Sequence, residues 1–148
     1  MKATVNPFVE TVEREQALPF FTDRQGRAYS IYWDADEWEA VLLYRGRGVG
    51  RLELVWRPPC LELADLTIAP RHRDRGLGSA VLEAVIALAR QREIREITGS
   101  ILRKDLARLP HLPAWYARHG FRLMPVSSGA RAYDLSLLLG PQASGADT

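Results

Sequence analysis

The sequence predicts an α/β domain built on a mixed, mostly antiparallel central sheet with flanking helices. Three observations carry that expectation. The first half alternates apolar and polar residues in strand-length runs separated by turn residues. Near the middle, a stretch of glycines and charges gives way at once to helix-spaced apolar residues. Beyond that point, strand-like and helix-like segments alternate. The chain has 148 residues, 47% of them hydrophobic, with no internal repeat and no linker, so it reads as one domain, 1–148, with one core.

Residues 1–27 carry the weakest pattern. VETVEREQAL reads as a short helix that Pro19 ends or bends, and DRQG (23–26) as a turn. AYSIYW (28–33) is a strand, DADE (34–37) a turn, and WEAVLLYR (38–45) a second strand with Trp38, Ala40, Leu42 and Tyr44 on one face. GRGVG turns the chain into a third strand, RLELVW (51–56). RPPC breaks it, and LELADLTI (61–68) is a fourth, strongly apolar strand. A helix of about 15 residues follows the glycine-containing stretch. In it Val81, Val85 and Leu88 repeat at helical spacing, as do Leu82, Ile86 and Ala89. REITGSIL (95–102) is the next strand, and the polar stretch RKDLARLP leads to the helix PAWYARH. Pro113 suits the first turn of that helix, and Gly120 the position just past its end. FRLMPV (121–126) and ARAYDLSLLL (130–139) are two last strands, and the residues from 140 to 148 read as a frayed tail.

Composition excludes several classes. A charged fraction of 26% with net charge +2 argues against disorder and is too small an excess to imply nucleic-acid binding. Cys60 is the single cysteine, so an intramolecular disulfide is impossible and a reduced, cytoplasmic setting is expected. The first 15 residues hold no apolar signal core, and no apolar run is long enough to cross a membrane. No metal-ligand spacing stands out, so no metal is expected.

The segment APRHRDRGLGSAVLEAVIALAR (69–90) raises a question, because Gly76 and Gly78 sit at the mouth of a good helix, where glycine weakens helical order. A helix N-terminus presents unpaired N–H groups and partial positive charge. Glycines there remove the Cβ atoms that keep a phosphate away from the backbone. Arg71, Arg73 and Arg75 add charge at the rim. The dinucleotide fingerprint requires glycine or alanine three residues after Gly78, where Val81 stands, and the Gly-Lys-Ser/Thr of a P-loop is missing.

The run Arg73, Asp74, Arg75, Gly76, Leu77, Gly78 instead resembles the Arg/Gln-x-x-Gly-x-Gly/Ala signature of the GNAT superfamily of acetyl-CoA-dependent N-acetyltransferases. Tyr116, Ala117, Arg118, His119, Gly120, Phe121 resemble a second motif of that family, Tyr-x-x-x-Gly-Phe. One strand intervenes between the two motifs, as in the family. Seven residues before Tyr116, where the family often carries Asn, this chain has Leu109.

The resemblance implies a GNAT-like sheet with splayed strands and acetyl-CoA as co-substrate. It places the pyrophosphate on the backbone of Arg73, Asp74, Arg75, Gly76, Leu77, Gly78, Ser79 and Ala80. It places the pantetheine arm along Leu66, Thr67 and Ile68. Tyr116 stands at the position of the family's usual general acid, which protonates the departing CoA thiolate. Glu62 lies six residues before Ile68, on the same strand face, where some family members carry a general base. A base is needed because an amine such as lysine is only about one part in a thousand uncharged at neutral pH. The implied acceptor is an amine of a small molecule or a protein, and a homodimer is a common assembly in the family. A catalytically inactive acyl-CoA sensor is the alternative reading. The aromatics Tyr29, Tyr32, Trp33 and Trp38, with Asp34, Asp36 and Glu37, either line a pocket for a cationic amine or simply form a hairpin with an acidic turn. His72, His111 and His119 show no partner in the sequence, and Cys60 has no catalytic constellation around it.

Overall fold

Leu18–Thr22 forms a strand, β1, where the sequence pattern pointed to the end of a helix at Pro19. Its register with the next strand shifts between Pro19 and Phe21, the kind of irregular position where proline is tolerated in a sheet. The computed structural model describes residues 18–34 and 38–140, so most of the expected helix VETVEREQAL, positions 35–37 of the expected DADE turn and the tail from 141 lie outside the described residues.

Eight strands follow the hydrogen-bonded order β1-β2-β3-β4-β5-β6-β8-β7: β2 is Ala28–Asp34, β3 Glu39–Tyr44, β4 Arg47–Arg57, β5 Cys60–Ile68, β6 Glu96–Leu102, β7 Arg122–Pro125 and β8 Arg131–Leu138. Three helices join them: α1 Leu77–Gln91, α2 Arg103–Arg108 and α3 Leu112–Arg118. β5 runs parallel to β6, whereas β1 with β2, β2 with β3, β3 with β4, β6 with β8 and β7 with β8 pair antiparallel. The chain divides into two compact units. One ends at Leu54 and resumes over Asp65–Val85; the other holds Val55–Ala64 and runs on from Ile86.

The first unit is an antiparallel meander. Tyr29 and Ile31 of β2, Ala40, Leu42 and Leu43 of β3, and Leu52 and Leu54 of β4 are buried, which is the period-2 alternation read from the sequence with one bulge at Leu42/Leu43. GRGVG is mostly strand and not turn. The reversal uses two residues, Arg45 (φ 54°) and Gly46 (φ 78°), the left-handed pair that a two-residue hairpin requires. Gly50 serves close packing: a Cβ there would lie 2.6 Å from Leu42 Cδ1 and 2.9 Å from the Thr67 carbonyl oxygen.

In the second unit, β5 pairs with β6 through Cys60↔Glu96, Leu61↔Ile97 and Glu62↔Thr98. β6 pairs along its length with β8, and β7 closes on β8. The polar stretch RKDLARLP contains α2, which periodicity missed because the helix buries no residue and so has no apolar face. α3 starts as read, with Pro113 in its first turn, and Gly120 (φ 95°) follows its end.

Candidate functional site

The loop after β5 is built by short-range bonds. Ala69 N–H donates to the Val49 carbonyl (2.8 Å), tying the strand end to β4. A single 3-10 turn, Pro70–His72, follows, with His72 N–H on the Ala69 carbonyl (2.9 Å). Two arginines then bond backward to the loop's own backbone: Arg73 Nε to the Ile68 carbonyl (2.7 Å) and Arg75 Nε to the Arg71 carbonyl (3.3 Å). Asp74 (φ 61°) and Gly76 (φ 88°) are left-handed, and this double reversal aims the chain into α1. The first bond at the start of α1 runs from Ala80 N–H to the Gly76 carbonyl (3.0 Å). The N–H groups of Leu77 and Gly78 therefore have no acceptor one turn back and point out of the helix end. Gly76 is exposed, and two hollows of about 460 and 540 Å³ flank it. Phe21 of β1 lines both, with its Cζ 3.2 Å from where a Cβ on Gly76 would sit. A helix mouth with positive dipole, a bare backbone and arginines at the rim fits an anionic group.

The underside of the loop is aromatic. Tyr29, fully buried, bonds through its hydroxyl to His72 Nδ1 (2.8 Å). The His72 ring also packs edge-on to Tyr29 (5.6 Å) and against Tyr44 (5.3 Å). Burial lowers the His72 pKa, and the charges of Arg27, Arg75 and Arg71 lower it further, against a weaker opposite pull from Asp23. Burial likewise raises the Tyr29 pKa. On the neighbouring turn, Asp23 accepts from Gln25 N–H (2.9 Å), Arg27 N–H (2.9 Å) and Arg27 Nε (3.1 Å). Arg75 reaches across to the Gln25 side chain of the same turn.

The second unit holds the two candidate catalytic side chains. Tyr116 is half-buried in α3, with its ring edge-on to Trp115 (4.9 Å) and Phe121 (5.4 Å). Its backbone carbonyl takes the N–H groups of His119 (3.0 Å) and Phe121 (3.2 Å), so the residues between motif tyrosine and motif phenylalanine are one closed turn. Glu62 lies on β5, where its Oε1 accepts from Arg57 Nε (2.9 Å).

The acetyltransferase (GNAT) family model matches residues 8–121. The chain belongs to that family. Solved structures share the GNAT fold. The PaiA N-acetyltransferase of Thermoplasma acidophilum, solved with coenzyme A, superposes with TM-score 0.58 at 16% identity, over 68% of this chain and 59% of that one. The ribosomal-protein-S18-alanine N-acetyltransferase of Escherichia coli gives 0.59 at 18% identity, over 74% of each chain. A GNAT family acetyltransferase of Elizabethkingia anophelis with acetyl-CoA bound gives 0.53 at 18%, over 68% of this chain and 75% of that one. The uncharacterized protein YocC of Bacillus subtilis (strain 168) is 28% identical over 80 residues, 54% of this chain and 47% of that protein, so the chain spans about half the length of the curated relative it matches.

Within this GNAT chain, the first unit brings together Leu66, Thr67, Ile68 and the loop from Arg73 to Ala80, while Glu62 and Tyr116 lie in the second. Ile68's carbonyl is already engaged by Arg73, and Thr67 Oγ1 bonds Asp65 (3.0 Å). Two points that the sequence left open are filled in by the structure. His72 has a partner, Tyr29, and His119 packs on Trp115 (5.1 Å). Tyr29 lines no open pocket, because it is core. Cys60 donates to Glu96 Oε1 (3.4 Å), and burial followed by the Glu96 contact pushes its thiol pKa up, away from nucleophilic use. Among the described residues no group of three His, Cys, Asp or Glu is placed to hold a metal ion, and no helix is long and apolar enough to cross a membrane.

Proposed function

We propose that this GNAT chain is an N-acetyltransferase that moves the acetyl group of acetyl-CoA to an amine of a small molecule or a protein in the cytoplasm. The observation that carries the reading is the loop from Arg73 to Ala80, which ends on an open helix mouth with Gly76 in the left-handed region. Its N–H groups bind the pyrophosphate, and Arg73 and Arg75 close the rim. The backbone of Leu66, Thr67 and Ile68 guides the pantetheine arm, with the Ile68 carbonyl shared between Arg73 and that arm. Acetyl-CoA supplies the activated acyl group as a thioester.

Two side chains move protons. Glu62 accepts the proton that the amine must lose, directly or through a water, on the carboxylate oxygen that Arg57 does not hold. The new C–N bond forms as the C–S bond breaks, and Tyr116 donates its phenolic proton to the departing thiolate. The test is a screen of amines with acetyl-CoA that records free thiol release. In parallel, saturating acetyl-CoA should raise the melting temperature, since a ligand that binds only the folded chain stabilises it. A flat melting temperature in saturating acetyl-CoA would end this reading. Binding without thiol release across the screen would leave an acyl-CoA sensor.

A further inference from the structure

Between Ile68 and Leu77 every residue is exposed or half-buried except one, His72. The loop that meets the anion thus inserts a single side chain into the body of its unit, beside the backbone bond from Ala69 to Val49 and the surface bond from Arg75 to Gln25. That side chain ends on Tyr29, whose hydroxyl is fully buried and needs a polar partner. We propose that His72 and Tyr29 are positioning residues for cofactor binding: their buried bond fixes the 3-10 turn, and the turn sets the direction of the N–H groups at the start of α1. The inference rests on the acyl-CoA reading above and goes beyond it by assigning a role to two residues outside the loop motif.

The geometry makes the coupling direct. Two residues after His72 the chain enters the left-handed region at Asp74, and four after it does so again at Gly76. Non-glycine residues hold that conformation only when their surroundings over-determine it. On the outer side the surroundings are the bonds from Arg73 and Arg75 to the loop's own backbone and from Arg75 to Gln25. On the inner side they are His72, pressed between Tyr29 and Tyr44. Without the inner anchor the outer bonds tie the loop mostly to itself.

The experiment uses the full chain and two ligands. Acetyl-CoA carries the pyrophosphate; S-acetylpantetheine carries the same thioester and arm without it. Tyr29→Phe deletes one hydroxyl and keeps the ring, and His72→Leu deletes the ring nitrogens. Each should weaken acetyl-CoA binding by about tenfold in calorimetry while changing S-acetylpantetheine affinity, read by NMR titration, by less than about twofold. His72→Asn places an amide near the position of Nδ1 and should restore most of the acetyl-CoA affinity. Wild-type affinity in both Tyr29→Phe and His72→Leu overturns the proposal. So does equal loss of both ligands, or an Asn variant no better than the Leu variant. Failure of the wild-type chain to bind acetyl-CoA sinks the acyl-CoA reading itself, which separates the two failures.

Discussion

Tyr116→Phe removes one hydroxyl and keeps the ring contacts with Trp115 and Phe121. If the phenol protonates the thiolate, kcat should fall by about 10²–10³ with little change in acetyl-CoA affinity, since the cofactor is held by backbone. Steady-state kinetics with an acceptor from the amine screen checks it, and kcat and kcat/KM should fall together. Full activity would pass the role to water or another donor. Acid stability is a second residue-scale outcome. Burial opposes the charge on Asp23, but its hydrogen bonds and the Arg27 guanidinium outweigh that and hold its carboxyl below the usual range. That stability is present above the ordinary carboxylate pKa and is lost as pH falls through the lowered value. His72 behaves alike in direction. Its folded pKa is depressed, so the unfolded chain binds more protons below about pH 6.5 and stability drops there. Urea midpoints from pH 8 to 5 should therefore decline, and His72→Asn should flatten the decline between pH 6.5 and 5. An equal slope in the variant would show that His72 takes up its proton as readily in the folded chain as in the unfolded one. The His72–Tyr29 pair was not legible in the sequence, because the two stand 43 positions apart and a histidine among arginines and a proline reads as surface.

Two glycines set the element-scale predictions. Gly78→Val places a branched side chain at the mouth of α1. The protein should fold, and acetyl-CoA affinity should collapse in calorimetry; unchanged affinity would mean that the glycine serves only the turn. Gly50→Ala acts elsewhere. The added methyl meets the Thr67 carbonyl oxygen as well as Leu42, and a backbone atom cannot swing aside. Denaturant unfolding should show a loss of about 1–3 kcal/mol. Much was legible: β2, β3, β5, β6 and β8 fall within a residue or two of their expected bounds, and α1 has the expected length of about 15 residues. α2 was hidden because it buries nothing. β1 was hidden because proline normally argues against a strand, and the register shift that accommodates it is invisible before pairing is known. The glycines of GRGVG read as turn formers, yet Gly50 is there for want of a side chain.

At the scale of the molecule, two short motifs separated by one strand were enough to point to the family, which the match over residues 8–121 bears out. The GNAT loop was legible because it is contiguous: Arg73 to Ala80 carry their geometry in their own order. How Glu62 and Tyr116 stand toward that loop was not legible, since the two belong to the other unit. Division into two units has a consequence for the gene. The chain passes from one unit to the other after Leu54, after Ala64 and after Val85, and those points lie inside β4, β5 and α1. No single stretch of coding sequence specifies either unit. A truncation library will find no minimal fragment. An exon-like exchange of either unit with another family member would have to swap two separate segments at once. A reporter peptide belongs in the Asp23–Gly26 turn only at the cost of the Arg75 tether to Gln25. Deep insertional scanning should thus return long blank intervals across β4, β5 and α1, with tolerated sites confined to the exposed turns between elements.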